Sequence, residues 1–450
     1  MTESRRNLRI ADTAEPADPP MAHSVSPLAR PPVFLHSGWR TAGTFLWSRF
    51  RAVEGVSGYY EPLHEWLATA SPATLVGNGP QLWPSGHPRL ARPYFDEFAP
   101  LLRGSAPGVR GYQSAFATDD FFAGPDASQP ALQAYLRRLL AAAGERGEQP
   151  VLKFCRSLGR AGWMARHFPE AAHIAVVRNP VSQFIAAKHQ FVAHDNPYFL
   201  LMPLLLLARN AGHEPVDQAL RRFAVDLPAH AAHRDRARAM AALAGHLRCS
   251  EPEAWYRGFL AFWLLTMLGI PETIDAIIDA DLLAVSGAYR AECTAELASL
   301  SGVAIDLGAA TRQACCAGRV ADRLGFSRAD LWRHHASASA FLAERKGPDW
   351  VEHGAGASAG ALLTHATLLG MDRGRLLHAG APGRTGEWEA LAGYAERVAA
   401  DHRRSQRRAE RAERELAWVY QSRSWRMTGP LRRLGGYARL LARRVIPKPR

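Results

Sequence analysis

The stretch VFLHSGWRTAGTFLW at residues 33–47 decides the fold of this chain. A β-prone run, VFLH, leads into a loop with two glycines, and the loop leads into a helical pattern, TFLWSRFRAV. Three other short apolar runs are predicted to be strands followed by helices: VLKFC at 151–155, HIAVV at 173–177 and DAIID at 275–279. Short apolar strands that alternate with helices indicate an α/β fold with a parallel sheet.

The rest of the 450-residue chain divides by composition around this sheet. With 47% hydrophobic and 22% charged residues, the chain has the composition of a folded globular protein. Residues 1–30 show no periodicity and are predicted to be a disordered leader. The main domain is predicted over 31–350, with large insertions, of which 197–270 is mostly helical. An irregular linker is predicted over 351–400, and a basic amphipathic helical tail over 401–450.

The cysteines and the apolar runs bear on where the protein works. The five cysteines are odd in number and lack CxxC spacing, which favours a reducing compartment over a disulfide framework or a zinc ribbon. The first residues lack the apolar segment of a secretory signal, so a cytoplasmic location is expected. The runs FLLMPLLLLA at 199–208 and FLAFWLLTMLGI at 259–270 are shorter than the roughly 20 residues of a membrane span. Both are predicted to be buried core helices.

The net charge of +13 is concentrated at one end of the chain. Residues 401–450 hold 15 Lys and Arg against 4 Asp and Glu, which is +11 of that total. A nearly neutral body argues against a nucleic-acid partner. The tail, with Trp425 and several leucines among its arginines, is a candidate peripheral anchor on an anionic inner membrane surface. A helix that pairs with another subunit and a solvated basic end are the alternatives, and the oligomeric state is left open.

The loop at 38–43 is a candidate anion-binding site. A loop between a strand and a helix directs backbone N–H groups and the positive end of the helix at an anion. The spacing from Gly38 to Gly43 matches that of an ATP-binding P-loop, but Thr44 and Phe45 stand where that motif needs Lys and then Ser or Thr. These two residues argue against an ordinary NTPase. Arg40 instead places a guanidinium inside the loop, where it could bridge two anionic groups.

The run RTAGTFL at 40–46 resembles the 5′-phosphosulfate loop of the sulfotransferases, which reads Arg/Lys-Ser/Thr-Gly-Thr-Thr-Trp/Leu-Leu. Ala42 and Gly43 stand in place of the usual Gly-Thr. The resemblance implies a P-loop NTPase-like topology for the sheet and 3′-phosphoadenosine 5′-phosphosulfate (PAPS) as the donor. The donor-binding residues that it implies in this loop are Gly38, Trp39, Arg40, Thr41, Ala42, Gly43, Thr44 and Phe45.

A second segment, HIAVVRNPVSQFIAAKHQF at 173–191, resembles the 3′-phosphate element of the same family. An apolar strand ends in Arg-Asn-Pro before a helix, and Arg178 would offer a bidentate fork to the phosphate. The family has Ser eight positions after this Arg, where this chain has Ala186. Ser182 lies one helical turn earlier on the same face and is the expected substitute.

A third segment, SGYYEPLHEW at 57–66, resembles the part of carbohydrate and tyrosine sulfotransferases that carries a catalytic Glu. Glu61 lies 21 residues beyond Arg40 and is expected to take the proton of the acceptor hydroxyl. His64 is the competing candidate for this base. Lys153 and Arg156 lie where related enzymes place cations near the active centre.

The resemblance implies transfer of a sulfuryl group from PAPS to a hydroxyl, with PAP as the product and without a metal. The run YQSRSWRMTGPLRRLG at 420–435 resembles a C-terminal segment of bacterial glycosyltransferases and other enzymes of surface-polysaccharide assembly, which favours a carbohydrate or glycolipid acceptor. Two alternatives stay open. Asp279 and Asp281 form a DxD that would suit Mn²⁺ in a glycosyltransferase, and Ala42 and Ala186 would suit a non-catalytic scaffold with a degenerate sulfotransferase fold.

Overall fold

The computed structural model describes residues 30–77, 87, 90–104, 106–310, 323–346, 358–363 and 366. Residues 1–29 of the predicted leader and the whole tail predicted over 401–450 lie outside these residues, as does most of the linker predicted over 351–400.

Five strands form one sheet in which every pair is parallel. They are β1 (Val33–Ser37), β2 (Val56–Tyr60), β3 (Gln149–Phe154), β4 (Ala172–Val177) and β5 (Ala276–Asp279). Their order across the sheet is β2-β3-β1-β4-β5. The predicted α/β fold with a parallel sheet is confirmed, and the four predicted strands are β1, β3, β4 and β5.

Strand β2 is the element that sequence patterning missed. Its sequence, VSGYY, contains a glycine and lacks the run of branched apolar residues that predicts a buried strand. The glycine is needed for packing, because a Cβ at Gly58 would lie 2.9 Å from the Arg51 side chain and 3.0 Å from Trp47 Nε1. Both of these residues belong to the first helix, which packs across β2, so the insertion predicted between β1 and β3 begins with a strand of the sheet.

Helices lie in the connections between the strands and follow β5. In chain order they are α1 (Gly43–Arg51), α2 (Pro72–Gly77), α3 (Pro130–Gly144), α4 (Ala161–His167), α5 (Pro180–His194), α6 (Tyr198–Arg209), α7 (Glu214–Arg222), α8 (Arg236–Cys249), α9 (Pro252–Leu268), α10 (Ala280–Val285), α11 (Gly287–Ser301) and α12 (Arg328–Lys346). The four helices α6 to α9 account for the helical insertion predicted over 197–270.

The sheet separates two apolar clusters. Alternate residues of β4 enter each one, with Ala175 and Val177 on the side of α5, α6 and α9, and Ile174 and Val176 on the side of α1, α3 and α11. Residues 199–208 of α6 and 258–267 of α9 are buried on all faces and pack in the first cluster, which confirms that both are core helices. Among the described residues, no helix combines the length and apolar character of a membrane span.

The linker prediction needs a correction over one short stretch. Residues 358–363 and 366 are helical, and Ala359, Leu362, Leu363 and Ala366 lie in the first apolar cluster. Small residues predicted an irregular segment here, but alanine is also the best helix former and lets a helix approach the core closely. The packed body of the protein therefore extends beyond the boundary predicted at 350.

Because the strands are parallel, their carboxyl ends all lie at the same edge of the sheet. The connection that leaves β1 runs to β2 at one side of the sheet, while the connection that leaves β4 runs to β5 at the other side. In an open α/β sheet, the crevice for ligands lies outside the carboxyl ends of neighbouring strands that diverge in this way. The crevice between β1 and β4 is therefore the candidate site.

Candidate functional site

The loop that follows β1 is held in an unusual backbone conformation. Arg40 and Ala42 both have positive φ, 67° and 63°, in the left-handed region that L-residues with a Cβ avoid. Thr41 Oγ1 donates to the carbonyl of Gly38 at 2.9 Å and closes the loop. A Cβ at Gly43 would lie 2.5 Å from Ser37 Oγ, so only glycine fits where α1 begins. The first N–H groups of α1, which have no partner within the helix, follow directly.

Arg178, at the end of β4, reaches the loop directly. Its Nη1 donates to the backbone carbonyl of Arg40 at 3.1 Å, and its Nε donates to Asp281 Oδ1 at 2.9 Å. Its own carbonyl accepts a hydrogen bond of 3.0 Å from Trp263 Nε1. The two arginine-bearing segments, 138 residues apart in the chain, therefore meet at the crevice between β1 and β4.

A small cleft opens between these two segments. It is lined by Gly38 and Thr41 of the loop, by Arg178, and by Gln183, Trp263 and Thr266 of the flanking helices. Gln183 Nε2 donates to the carbonyl of Trp39 at 2.7 Å, which ties α5 to the loop. The cleft therefore joins both predicted anion-binding elements.

The Arg40 side chain lies over the start of α6. Its guanidinium carbon is 5.3 Å from the centre of the Phe199 ring, within the range of a cation–π contact. The positive charge of Arg40 also contributes to a lowered pKa at His87, so the guanidinium is near that imidazole. Arg40 is half-buried between the loop, α6 and His87.

The Arg-Asn-Pro segment begins helix α5. Asn179 caps the helix, because its Oδ1 accepts from the backbone N–H of Ser182 at 2.8 Å. Asn179 Nδ2 donates to Ser182 Oγ at 2.9 Å. Ser182 therefore lies in the turn beside Arg178, and its role as a phosphate ligand stays a prediction. Ala186 is 2% exposed and packs in the core, so a hydroxyl at that position would be buried.

Glu61 sits at the end of β2 in a buried cluster of charges. It has a φ of 47° and is 3% exposed. Lys153 Nζ donates to Glu61 Oε1, while Arg156 Nη1 and the backbone N–H of Cys155 contact Oε2 at 3.4 Å and 2.9 Å. Burial alone would raise the pKa of Glu61, but Lys153 and Arg156 outweigh it and lower the pKa to about 2. A carboxylate with so low a pKa is ionised near pH 7, so it accepts protons poorly and pairs well with cations.

His64 is used as a helix cap. Its Nδ1 accepts the backbone N–H of Trp66 at 3.1 Å, at the start of a 3₁₀ turn over Glu65–Ala68. With Nδ1 occupied as an acceptor, the neutral imidazole carries its proton on Nε2. Burial, followed by Arg156 among the cations, lowers the pKa of His64 to about 4 against the opposing effect of Glu65. His64 is therefore neutral near pH 7, with its lone pair already engaged.

Lys153 and Arg156, the two cations expected near the active centre, lie at the core of this cluster. Lys153 is 2% exposed, and its Nζ is 3.0 Å from Cys155 Sγ and 4.8 Å from the centre of the Tyr60 ring. A Cβ at Gly43 would lie 3.2 Å from Lys153 Cε, so the Lys153 side chain runs along the start of α1. Strand β3 thus brings a lysine to the loop, which lacks one of its own.

Three expected donor ligands pack differently from one another. Trp39 is 5% exposed, and its ring packs against Phe262 and under the Arg156 guanidinium. Its large apolar ring therefore belongs to the core, and a contact of Trp39 with the donor stays a prediction. Thr44 is buried with its Oγ1 3.4 Å from Tyr60 Oη, and Phe45 is half-buried beneath Arg49.

Sequence patterns did not predict several members of the cluster. Glu65 accepts from Arg156 Nη2 at 2.5 Å, from Tyr198 Oη at 3.2 Å and from Arg236 Nη2, which is 171 residues away in the chain. His87 Nε2 lies 3.3 Å from Tyr60 Oη. Contacts between residues so far apart leave no mark in local spacing. A cue was available only for Glu65, which follows the Glu-Pro-Leu segment.

The DxD of the alternative glycosyltransferase interpretation is engaged in the fold. Asp279 Oδ1 accepts from the backbone N–H groups of Asp281 and Leu282 and caps α10. Asp281 pairs with Arg178 and Asn179. Burial, and then the neighbouring carboxylate, raise the pKa of Asp279 to about 7. In the described part of the chain, no group of three or more metal-ligating side chains is assembled.

The chain was compared with protein-family models, with curated proteins and with solved structures, and no match was found in any of the three.

Proposed function

We propose that this protein is a sulfotransferase that moves a sulfuryl group from PAPS to a hydroxyl of a carbohydrate acceptor. The observation that carries the proposal is the hydrogen bond between Arg178 and the carbonyl of Arg40, which joins the two predicted anion-binding elements at one crevice. The strand order, with the loop after the central β1, supports the P-loop-like topology that the resemblance implies.

The charges around the crevice support a highly anionic ligand. Five cations are gathered with three carboxylates, namely Lys153, Arg40, Arg156, Arg178 and Arg236 with Glu61, Glu65 and Asp281. Two of the five cations, Lys153 and Arg156, are buried and paired with carboxylates. The group as a whole holds more cations than carboxylates, which suits a ligand with several phosphate-like charges. A donor with a phosphosulfate at one end and a phosphate at the other meets this condition.

Different residues of the chain would hold the two ends of the donor. The loop N–H groups, Arg40 and Lys153 would hold the phosphosulfate and stabilise the charge that develops on the leaving phosphate. Arg178 and Ser182 would hold the second phosphate. Glu61 would position Lys153 and Arg156, since its two oxygens bind both.

The choice of acceptor and the place of work rest on the sequence of the tail. The resemblance of 420–435 to a segment of surface-polysaccharide enzymes favours a carbohydrate or glycolipid acceptor, and the basic residues of 401–450 favour the cytoplasmic face of a membrane.

Calorimetric titration with PAP, followed by transfer of labelled sulfate onto a panel of glycans, tests the proposal. We expect PAP to bind the chain, and Arg40→Ala to weaken it about 10- to 100-fold, as for the loss of charge-assisted hydrogen bonds. Arg166→Ala is the matched control, because the Arg166 side chain is 63% exposed and pairs with an exposed Asp126. Binding of a sugar nucleotide with Mn²⁺ in place of PAP would support the glycosyltransferase, and PAP binding without transfer to any glycan would support the scaffold.

A further inference from the structure

The ends of β4 and β5 place two groups of opposite charge side by side. Val177 of β4 pairs with Asp279 of β5 in the parallel register, so the residues that follow the two strands are neighbours at the edge of the crevice. Arg178 follows β4 directly, and Asp281 lies in the first turn of α10. Their side chains are only 21% and 15% exposed. Solvent therefore screens this ion pair less than it would screen a pair on the open surface.

Asp281 is held in place by contacts on its backbone and on its carboxylate. Its backbone N–H donates to Asp279 Oδ1 at 2.8 Å, which fixes the start of α10. Its Oδ1 accepts from Arg178 Nε at 2.9 Å. Its Oδ2 accepts from Asn179 Nδ2, and the backbone N–H of Asn179 lies 3.4 Å from the same oxygen. Both carboxylate oxygens are therefore engaged by the segment that begins α5.

The guanidinium of Arg178 is held between Asp281 and the loop. Nε donates to Asp281, and Nη1 donates to the carbonyl of Arg40 at 3.1 Å. The backbone of Arg178 is fixed as well, since its carbonyl accepts from Trp263 Nε1 of α9 at 3.0 Å. A guanidinium is planar, and its N–H groups point in fixed directions, so a bond at Nε also sets the direction of the Nη groups. The position of Asp281 therefore determines how Arg178 meets the loop.

This arrangement bears on the strained part of the loop. Arg40 has a φ of 67°, which is unfavourable for a residue with a side chain, and the bond from Arg178 holds its carbonyl. A guanidinium without the carboxylate at Nε would have more orientations open to it, and fewer of them would reach that carbonyl. The series of contacts from Asp281 through Arg178 to Arg40 thus joins the end of β5 to the loop after β1.

We propose that Asp281 is the positioning residue for the donor, because it orients Arg178 to brace the loop and to receive the second phosphate. The inference rests on the proposed function and assigns to it a residue that would not touch the donor. The negative charge of Asp281 opposes a bound phosphate, but Arg178 and Asn179 donate to both of its oxygens and compensate much of that charge. The gain from a fixed guanidinium is therefore expected to exceed the repulsion.

Calorimetric titration of Asp281→Asn with PAP and with adenosine 5′-monophosphate (AMP) tests the inference. We expect the affinity for PAP to fall about 10-fold, as for a weakened charge-assisted hydrogen bond. The affinity for AMP should fall less, because AMP lacks the second phosphate, so the preference for PAP over AMP decreases. Asp275→Asn is the matched control, since its carboxylate lies just before β5, at the opposite edge of the sheet, and accepts from the backbone N–H of His173. Both affinities should be unchanged in the control.

A double variant separates positioning from a general effect on the fold. In the background of Arg178→Ala, which has no guanidinium to orient, the further change Asp281→Asn should alter PAP affinity by less than about twofold. A second loss of about 10-fold in this background would overturn the inference, because Asp281 would then act independently of Arg178. PAP binding by Asp281→Asn that equals or exceeds that of the unmodified protein would overturn it as well.

Arg178→Lys gives a test that keeps Asp281 and the positive charge. A single ammonium lacks the planar fork that spans the carboxylate and the Arg40 carbonyl, so PAP affinity should again fall about 10-fold. An affinity within about twofold of the unmodified protein would overturn the inference, even if Asp281→Asn does not fold. If the unmodified protein binds no PAP, the proposed function fails and the inference fails with it. Failure of the inference alone is distinct, because the unmodified protein then still binds PAP.

Discussion

At the scale of single residues, the backbone conformation at Ala42 favours glycine, while the space around Gly43 requires it. Ala42 has a φ of 63°, where a side chain is unfavourable, while Gly43 lies where a Cβ would be 2.5 Å from Ser37 Oγ. The alanine is thus strained and the glycine is required by space. The strain is held by the bonds around it, because Arg178 fixes the carbonyl of Arg40 and Thr41 fixes that of Gly38.

We expect Ala42→Gly to raise the free energy of unfolding by about 0.5–1 kcal/mol, since glycine adopts the left-handed conformation without steric cost. Gly43→Ala should lower it by about 1–3 kcal/mol through overpacking against Ser37. Urea denaturation measures both. Ala141→Gly, inside α3, is the control for the flexibility of glycine and should cost about 1 kcal/mol. A loss of the same size in Ala42→Gly would contradict the role of strain.

At the scale of elements, a chain of hydrogen bonds joins three parts of the sheet. His173 Nε2 lies 2.9 Å from the carbonyl of Phe168, which only accepts, so His173 must donate there. His173 Nδ1 therefore accepts from His36 Nε2 at 3.0 Å, and His36 Nδ1 accepts from Ser157 Oγ at 2.8 Å. β1, β4 and the turn after β3 are tied together by two neutral imidazoles.

This chain of bonds predicts that acid weakens the fold. Burial and the partner ring lower the pKa of His36, and burial lowers that of His173, while unfolded histidines titrate near about 6.5. Below that pH the unfolded chain binds more protons than the folded one, so the free energy of unfolding falls as pH decreases. Each of the two histidines adds up to about 1.4 kcal/mol per pH unit to this slope.

Urea denaturation between pH 7.5 and 5 tests the effect. The double variant His36→Gln with His173→Gln should show a shallower loss of stability on acidification, although other buried histidines such as His64 keep part of the slope. His213→Gln, at an exposed position, is the control and should keep the full slope. An unchanged slope in the double variant would mean that these two rings do not govern the response to acid.

The elements also show how far sequence patterns reach. The loop, β1, β4 and the start of α5 were predictable, because an apolar strand, a turn and a helix follow one another locally. β2 was missed because Gly58 interrupts the apolar pattern of a strand, and glycine is needed there because α1 packs closely against it. The partners of Glu65 could not be predicted, since Arg236 and Tyr198 reach it only after α6 and α8 have packed.

At the scale of the whole molecule, the charges of the body and the tail are separate. Residues 401–450 carry +11 of the net +13, so attraction to an anionic surface would act mainly through them. Lys153 and Arg156 of the crevice are buried and held by carboxylates, so they are in a poor position to bind a membrane. Donor binding and membrane binding should therefore be separable.

Deletion of 401–450 tests this separation. We expect the full chain to sediment with vesicles of phosphatidylglycerol and to be released by salt, and the shortened chain to stay in solution while it binds PAP with unchanged affinity. Full-length protein with Arg432, Arg433, Arg443 and Arg444 changed to Gln is the matched variant and should lose most of the vesicle binding. Sedimentation that survives the deletion would assign membrane contact to the body.

The bond from the Arg178 side chain to the Arg40 backbone also limits how this protein can be redesigned. An engineer who wished the crevice to take a donor simpler than the proposed one, without a second phosphate, would remove Arg178, the cation proposed to bind that group. That change would also release the loop proposed to hold the reactive end, so selectivity and catalytic geometry would be lost together. A compensating brace for the Arg40 carbonyl would have to be installed first.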